Sequence, residues 1–265
     1  MSTNFKEFAI EQSPAGPEVM SSYSILTLNI HKGFSMGNRR FTLENIRRCL
    51  RNSSANIVFL QEVVGENTRF HRRVAGWPQG GSQLEFLADT VWSHHAYGKN
   101  AIYQHGHHGN AILSEAPFKN WHNLDVTCMT MSQRGILHGA TSEDVHLMCV
   151  HLGLFEGERR LQISRLIDYV HNHIPKSAPL IIAGDFNDWR RHCHHRLMRN
   201  LDLEEAHQAH NRSVAKTYPA LRPMLAMDRI YVRGFKVRQC STMTGPEWRS
   251  VSDHCALLAE VSLQS

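Results

Sequence analysis

Asp185 and Asn187 follow the apolar run 180–183 and a glycine, at the point where a buried strand would end. A short apolar run bounded by turn residues is typical of such a strand. Alternate residues of an extended chain point to the same side, so the carboxylate and the carboxamide could face one site. Oxygen donors of this kind bind a hard divalent cation or a metal-bound water. The same two residues also favour a plain turn, so this stretch alone leaves both interpretations open.

Glu62 is a second candidate, because it ends the predicted strand 56–62, whose residues 57–60 are apolar. A charge at the end of a buried strand is typical of a site residue or of a paired one.

Polar residues recur at the ends of further predicted strands, and site residues often lie there because a sheet fixes their geometry. Taken singly, each could be a buried core histidine, a strand-edge acid or a turn residue. These residues are Asn29, His151, Asp228, Asp253 and His254.

Hydrophobic periodicity predicts an α/β protein with many strands and few helices. We expect helices at 41–52, 82–92, 157–173 and 190–200, and strands at 24–30, 56–62, 110–114, 119–126, 135–140, 145–151, 179–184, 227–232, 236–243 and after 255. The segments 92–108 and 205–225 are predicted to be mainly loop. Residues 1–22 are polar and contain prolines, so we expect a flexible N-terminal arm followed by one domain over 23–265.

Composition narrows the class of protein. The chain has 265 residues and a formal net charge of +5, a modest excess that suits an anionic substrate. No run approaches the roughly 18 apolar residues of a membrane span, and the start lacks the pattern of a secretory signal. The six cysteines form no C-x-x-C pair. We therefore expect a cytoplasmic monomer with reduced thiols and no stable membrane insertion.

The 19 histidines are numerous and partly bunched, at 94–95, at 105, 107 and 108, and at 192, 194 and 195. Such bunches can bind transition metals. We interpret them instead as residues of solvated loops.

Taken together and in this order, the motifs resemble those of the endonuclease/exonuclease/phosphatase superfamily, the DNase I-like fold. The resemblance spans residues 24–262, and Asn29 to Gly33 is most similar to the first motif of small bacterial members. The motifs are Leu28-Asn29-Ile30, Leu60-Gln61-Glu62-Val63, Gly109 to Ser114, Val150-His151-Leu152, Gly184-Asp185-Phe186-Asn187, Asp228-Arg229-Ile230 and Ser252-Asp253-His254. Arg159 and Gln162 match the helix that follows the histidine motif.

The resemblance implies a four-layer α/β sandwich, with two packed mixed sheets flanked by helices. It also implies hydrolysis of a phosphoester that depends on Mg²⁺ or Mn²⁺. By position, Glu62 is then the principal metal ligand, helped by Asn29 and Asp253. Asp185 and Asn187 orient the attacking water and hold a phosphate oxygen.

The remaining implied roles concern the phosphate and the rest of the substrate. His254 contacts the scissile phosphate, Asp228 holds its imidazole, and His151 contacts another phosphate oxygen. A buried acid behind a histidine fixes the tautomer and raises the pKa. Arg134 and Asn110 are expected to bind substrate. Trp189 could stack on a base, line a substrate wall or cap the core.

The substrate is less determined by the sequence. Arg190, Arg191, Arg196 and Arg199 follow the site loop and favour nucleic acid, although a solvated basic helix explains them equally well. Phospholipid or inositol phosphate head groups are the alternative substrates. A non-catalytic scaffold that binds phosphate is the remaining hypothesis, and the presence of Glu62, Asp185 and His254 argues against it.

Overall fold

A computed structural model describes residues 22–79 and 82–264 of the chain. The predicted N-terminal arm, except for its last residue, lies outside the described residues. The described residues form twelve strands and seven α-helices.

The first sheet contains six strands in the order β11-β12-β1-β2-β4-β3. Its strands β1 and β2 are parallel, and the other neighbouring pairs are antiparallel. Their bounds are β1 (Ser22–Asn29), β2 (Ile57–Asn67), β3 (His94–Tyr103), β4 (Gly106–Ser114), β11 (Phe235–Thr242) and β12 (Leu257–Leu263).

The second sheet contains the other six strands in the order β5-β6-β7-β8-β10-β9. Only β7 and β8 are parallel in it. The bounds are β5 (Phe118–Asp125), β6 (Gly135–Thr141), β7 (His146–His151), β8 (Leu180–Asp185), β9 (Glu204–Glu205) and β10 (Asp228–Arg233).

Alternation along the strands explains why the sheets stack in layers. In β2, Ile57 and Phe59 pack between the two sheets, while Val58 and Leu60 pack against helices on the outside. Successive side chains of a strand point to opposite faces, so a strand that is apolar throughout is covered on both sides.

The outer layers are helical. Helices α1 (Leu43–Asn52), α3 (Gln83–Ala88) and α7 (Pro246–Arg249) cover the first sheet. Helices α4 (Glu156–His173) and α5 (His192–Leu201) cover the second. The helix–sheet–sheet–helix order confirms the predicted four-layer sandwich. Two short helices remain, α2 (Thr68–Arg73) and α6 (Ala206–Asn211).

Several sequence-based boundaries are wrong. Strand β2 continues to Asn67 rather than ending at Glu62, because a bulge between Leu60 and Val63 lets the strand bend and continue. The segment 92–108 forms most of the β3–β4 hairpin rather than a loop. The segment 205–225 contains α6, which is too short for helical periodicity to show.

Candidate active site

Four strand ends meet at one edge of the sandwich. Asn29 ends β1, His151 ends β7, Asp185 ends β8 and Asp228 begins β10. In the second sheet, Asp185 pairs directly with both His151 and Asp228. The two sheets also touch here, because Nδ2 of Asn29 donates to Oδ2 of Asp185 at 3.2 Å. The edge therefore brings together residues from distant parts of the chain.

His254 lies between two carboxylates. Its Nδ1 is 2.8 Å from Oδ2 of Asp228, and its Nε2 is 3.9 Å from Oδ2 of Asp185. Burial favours neutral His254, but the charges of Asp228 and then Asp185 outweigh burial and raise its pKa to about 10. His254 is therefore an imidazolium at neutral pH, with one N–H fixed on Asp228 and the other directed toward Asp185.

Asp185 is at the centre of the cluster. Its Oδ1 accepts from the backbone N–H of Asn187 at 3.0 Å, and its Oδ2 lies 3.5 Å from Nε2 of His151. Burial raises the pKa of Asp185, while the nearby His254 opposes the rise. This carboxylate can hold a water molecule in a defined position between several donors.

Gly184 allows Asp185 to reach this position. Its φ is +144°, and a Cβ there would lie 2.0 Å from the carbonyl oxygen of Val150 on the neighbouring strand. Only glycine adopts this conformation with the strands so close. After the strand, Asn187 has a φ of +50° and donates from Nδ2 to the carbonyl of Leu152 at 3.0 Å. Asn187 thereby joins the loops that follow β7 and β8.

Glu62 sits in the bulge of β2 with a φ of +58°, which is uncommon for a residue other than glycine. Burial disfavours its charge, but His151 when protonated, Lys32 and other nearby bases outweigh burial and lower the pKa of Glu62 to about 2. Its Oε1 accepts a long hydrogen bond of 3.4 Å from Asn29. Its Oε2 is buried and has no hydrogen-bond partner among the described residues, and Nζ of Lys32 is 3.5 Å away.

The environment of Glu62 suits a hard divalent cation. Glu62 offers an ionised, buried oxygen without a hydrogen bond, which is the donor type that Mg²⁺ and Mn²⁺ prefer. Donor atoms of Asp185, Asp228 and His254 also lie within 4.8 Å of one another. That second group fits a cation less well, because His254 is protonated and already bonded to Asp228.

The other two predicted metal ligands, Asn29 and Asp253, already have partners in the protein. Asn29 donates to both Glu62 and Asp185, and its Oδ1 accepts from the backbone N–H of His31 at 3.0 Å. Asn29 thus orients two carboxylates. Oδ1 of Asp253 lies 3.6 Å from Nδ1 of His31. Metal ligation by Asn29 and Asp253 stays a prediction.

A narrow cleft beside Glu62 is lined by three residues that were predicted to contact the substrate, His151, Arg134 and Asn110. Burial and then Arg134 hold the pKa of His151 well below its usual value, so this imidazole is neutral. Asn110 donates to the carbonyls of Gly135 and Cys149 and so links the two sheets. Its Oδ1 is buried without a hydrogen bond, which leaves that one atom for a substrate contact.

Trp189 is 38% exposed and stacks beneath the guanidinium of Arg159, which lies 5.2 Å from the ring centroid. Its neighbour Asp188 is fully buried, and its carboxylate accepts from the first backbone N–H groups of α5. Of the basic residues near α5, Arg196 donates to Ser164 and to a carbonyl of α4. These contacts are structural and make α5 a weaker candidate for phosphate binding.

Two residues beside Glu62 were not predicted from the sequence to belong to the site. Lys32 has a φ of +56° in the turn after β1, which directs its ammonium toward Glu62. His108 also lines the cleft, and burial and then Lys32 lower its pKa to about 4. The only sequence signal was the position of each residue within or next to a motif. His108 and His194 also show that the bunched histidines are not all on solvated loops, because one lies in β4 and the other is buried in α5.

Comparisons with known proteins agree with the fold. Residues 26–254 match the model of the Endonuclease/Exonuclease/phosphatase family. The chain is 44% identical over 248 residues to the protein YbhP of Escherichia coli K12, covering 91% of this chain and 97% of YbhP.

Two solved structures share the fold at low identity. An endonuclease/exonuclease/phosphatase from Beutenbergia cavernae has a TM-score of 0.73 at 16% identity, over 93% of this chain and 72% of that one. TDP2 from D. rerio, solved with a single-strand DNA product, has a TM-score of 0.64 at 16% identity, over 92% and 100% of the two chains. Among the described residues, no helix is both long enough and apolar enough to cross a membrane.

Proposed function

The chain belongs to the endonuclease/exonuclease/phosphatase family, whose members are in general metal-dependent phosphoesterases, and on that premise we propose that it hydrolyses a phosphodiester bond of nucleic acid with Mg²⁺ or Mn²⁺. The single observation that carries the proposal is the run of contacts from Asp228 through His254 to Asp185, beside the ionised Glu62.

The phosphodiester is an anion that repels nucleophiles, so the site must offset its charge. Glu62 would hold the divalent cation, helped by Asn29 and Asp253. A bound cation supplies positive charge to the phosphoryl oxygens and polarises the phosphorus–oxygen bond. Protonated His254 donates its Nε2–H to a second phosphoryl oxygen, and Asp228 keeps that imidazole charged and correctly turned.

Asp185 and its neighbours position the nucleophile. A fixed carboxylate can accept from a water molecule and hold it in line with the leaving oxygen. Asn187 fixes Asp185 by its backbone N–H, and its side chain ties the adjoining loop in place. His151 is neutral and can donate to a phosphate oxygen without adding charge. Arg134, which lines the same cleft, adds positive charge.

Nucleic acid is the proposed substrate for two reasons. The single-strand DNA product seen with TDP2 shows that this fold accommodates a nucleic acid strand at least in that relative. The net charge of +5 also favours a polyanion.

One observation favours phospholipid head groups as a second candidate. Strand directions put the loops 126–134, 152–155 and 212–227 at the edge that carries the site. These loops expose large apolar side chains, which is unusual for solvent-facing loops and suits contact with a lipid surface. The exposed residues are Met129, Met131, Leu154, Phe155, Leu221 and Met224.

A substrate panel tests the proposal. It would contain plasmid DNA, single-stranded DNA, RNA, phosphatidylglycerol vesicles and inositol phosphates, each with Mg²⁺ and with Mn²⁺. We expect cleavage of nucleic acid with weak sequence preference. Activity confined to lipid or inositol head groups would contradict nucleic acid as the substrate and support the second candidate. A metal-loaded protein inactive on the whole panel would support the scaffold hypothesis.

A further inference from the structure

Helix α2 presents three arginines to solvent next to the site. Arg69, Arg72 and Arg73 are exposed. None of their side chains forms a hydrogen bond or an ion pair within the described parts of the chain. Adjacent unpaired cations repel one another.

The helix that carries them is firmly held. Six residues are too few for a stable isolated helix, so its contacts must fix it. The Asn67 side chain caps it by accepting from the backbone N–H groups of Arg69 and Phe70. Phe70 packs against Phe34 at 5.5 Å and against Trp77 at 5.4 Å between ring centroids. The backbone that carries the three arginines is therefore held in a fixed position.

A groove of two adjoining cavities runs from this helix to the turn that carries Lys32. One cavity of about 480 Å³ lies between the turn after β1 and α2, and it is lined by Lys32, Phe34, Arg69 and Arg73 among others. A second cavity of about 360 Å³ is lined by Arg69, Arg73, Arg72 and the adjoining loops. Lys32 also approaches Oε2 of Glu62 to 3.5 Å. A chain of positive charge thus leads from the proposed metal ligand along α2.

We propose that this groove is a second phosphate subsite, which binds the phosphate next to the scissile one in a single polynucleotide strand. Guanidinium groups recognise phosphate oxygens with two parallel hydrogen bonds. Phe34 and Phe70 are half-buried and line the groove, and cations combined with aromatic rings are typical of single-strand binding. The inference rests on the proposed phosphodiesterase function of the neighbouring site.

Binding at varied salt concentration tests the subsite. The probe is a short fluorescein-labelled oligothymidylate, followed by anisotropy with the Asp185→Asn protein so that cleavage does not interfere. Each phosphate neutralised on a single strand contributes roughly 0.7 to the log–log salt slope, so loss of this one phosphate contact in Arg69→Gln/Arg73→Gln should reduce its magnitude by about 0.7. Arg69→Lys/Arg73→Lys should restore most of the slope. The control Arg48→Gln/Arg238→Gln removes the same charge from exposed positions elsewhere and should leave the slope unchanged.

The outcomes separate the subsite from the catalytic proposal. An equal slope for the Arg69/Arg73 variant and the control would overturn the subsite, even if the wild-type protein cleaves nucleic acid. A reduced slope in a protein whose wild type hydrolyses no substrate would support the subsite and contradict the catalytic proposal. An Arg69/Arg73 effect on binding to phosphatidylglycerol vesicles but not to the oligonucleotide would overturn the assignment to nucleic acid.

Discussion

Nδ1 of His254 lies 2.8 Å from Oδ2 of the fully buried Asp228, although 26 residues separate them in the chain. The contact forms because β10 begins, and the turn before β12 ends, at the same edge of the sandwich. It leaves Nε2 as the only N–H of His254 that can serve a substrate. Asp228 is thus a positioning residue, and its effect on the reaction is exerted through His254.

Asp228→Asn should lower kcat about 10- to 100-fold, because a neutral amide holds the imidazole less well and no longer stabilises its charge. KM should change much less, because Asp228 does not reach the substrate. The double variant Asp228→Asn/His254→Gln should be hardly slower than His254→Gln alone, since both changes disable one unit. Multiplicative effects of the two changes would contradict this coupling.

Glu62→Gln should abolish the stabilisation that Mn²⁺ gives to the wild-type protein. A ligand that binds only the folded state at 100 times its Kd raises the free energy of unfolding by about 2.7 kcal/mol. Thermal melts with EDTA and with Mn²⁺ measure the difference without relying on activity. Glu66→Gln is the matched control, because Glu66 lies on the same strand but is exposed. Equal Mn²⁺ shifts in Glu62→Gln and wild type would exclude Glu62 as the main ligand.

Gly184→Ala should lower the free energy of unfolding by at least about 2 kcal/mol. The cost has two sources, a φ that disfavours other residues and a Cβ forced against the Val150 carbonyl. Gly157→Ala is the control, because its Cβ would meet nothing within 4 Å in the first turn of α4. That change should stabilise the protein by up to about 1 kcal/mol. Urea unfolding of both variants measures the difference in their free energies of unfolding. Equal effects would show that the backbone of β7 does not lie so close to Gly184.

Acid should destabilise the fold through His138, which lies away from the site. Its ring nitrogens contact Tyr169 and His146, and burial and then His146 lower its pKa to about 4. The unfolded chain has a histidine pKa near 6.5. Between about pH 6.5 and 4 the unfolded state therefore binds the extra proton, and the free energy of unfolding falls as the pH falls.

For this one histidine the loss is on the order of 3 kcal/mol by pH 4. His138→Gln should flatten the decline in a series of urea titrations across that range. His195→Gln, at an exposed position of α5, controls for removing a histidine from the surface. A decline as steep in His138→Gln as in wild type would contradict this role.

The motif residues at strand ends could be predicted, because the local apolar pattern shows where each strand ends and the order of the motifs along the chain matches the family. Apolar runs mark the strands of Asp185 and His151, and the family order predicts that their ends meet. Lys32 was not predictable in the same way, because its approach to Glu62 depends on a left-handed turn that no local pattern signals. Helix α2 was missed for a related reason, since it lacks an apolar stripe and is held by its cap and by Phe70.

Burial of polar side chains was the least predictable feature. Asp188 directly follows Asn187 in the sequence, yet its carboxylate caps α5 and lies 3.6 Å from the buried Arg229. His194 appeared solvated, yet it contacts the hydroxyl of Tyr231 at 2.9 Å. Arg229 and Tyr231 are distant in sequence from Asp188 and His194, so the local sequence around Asp188 and His194 does not indicate these two contacts.

Hydrolysis of bis(p-nitrophenyl) phosphate tests the central claim most directly, because this small diester needs only the catalytic residues and the cation. We predict that wild-type protein loses activity in excess EDTA and regains it with Mg²⁺ or Mn²⁺. His254→Gln and Asp185→Asn, folded by circular dichroism, should be slower by at least about 100-fold. Activity that persists in EDTA, or a His254→Gln protein that works at nearly the wild-type rate, would contradict the assignment of this edge as a metal-dependent phosphodiesterase site.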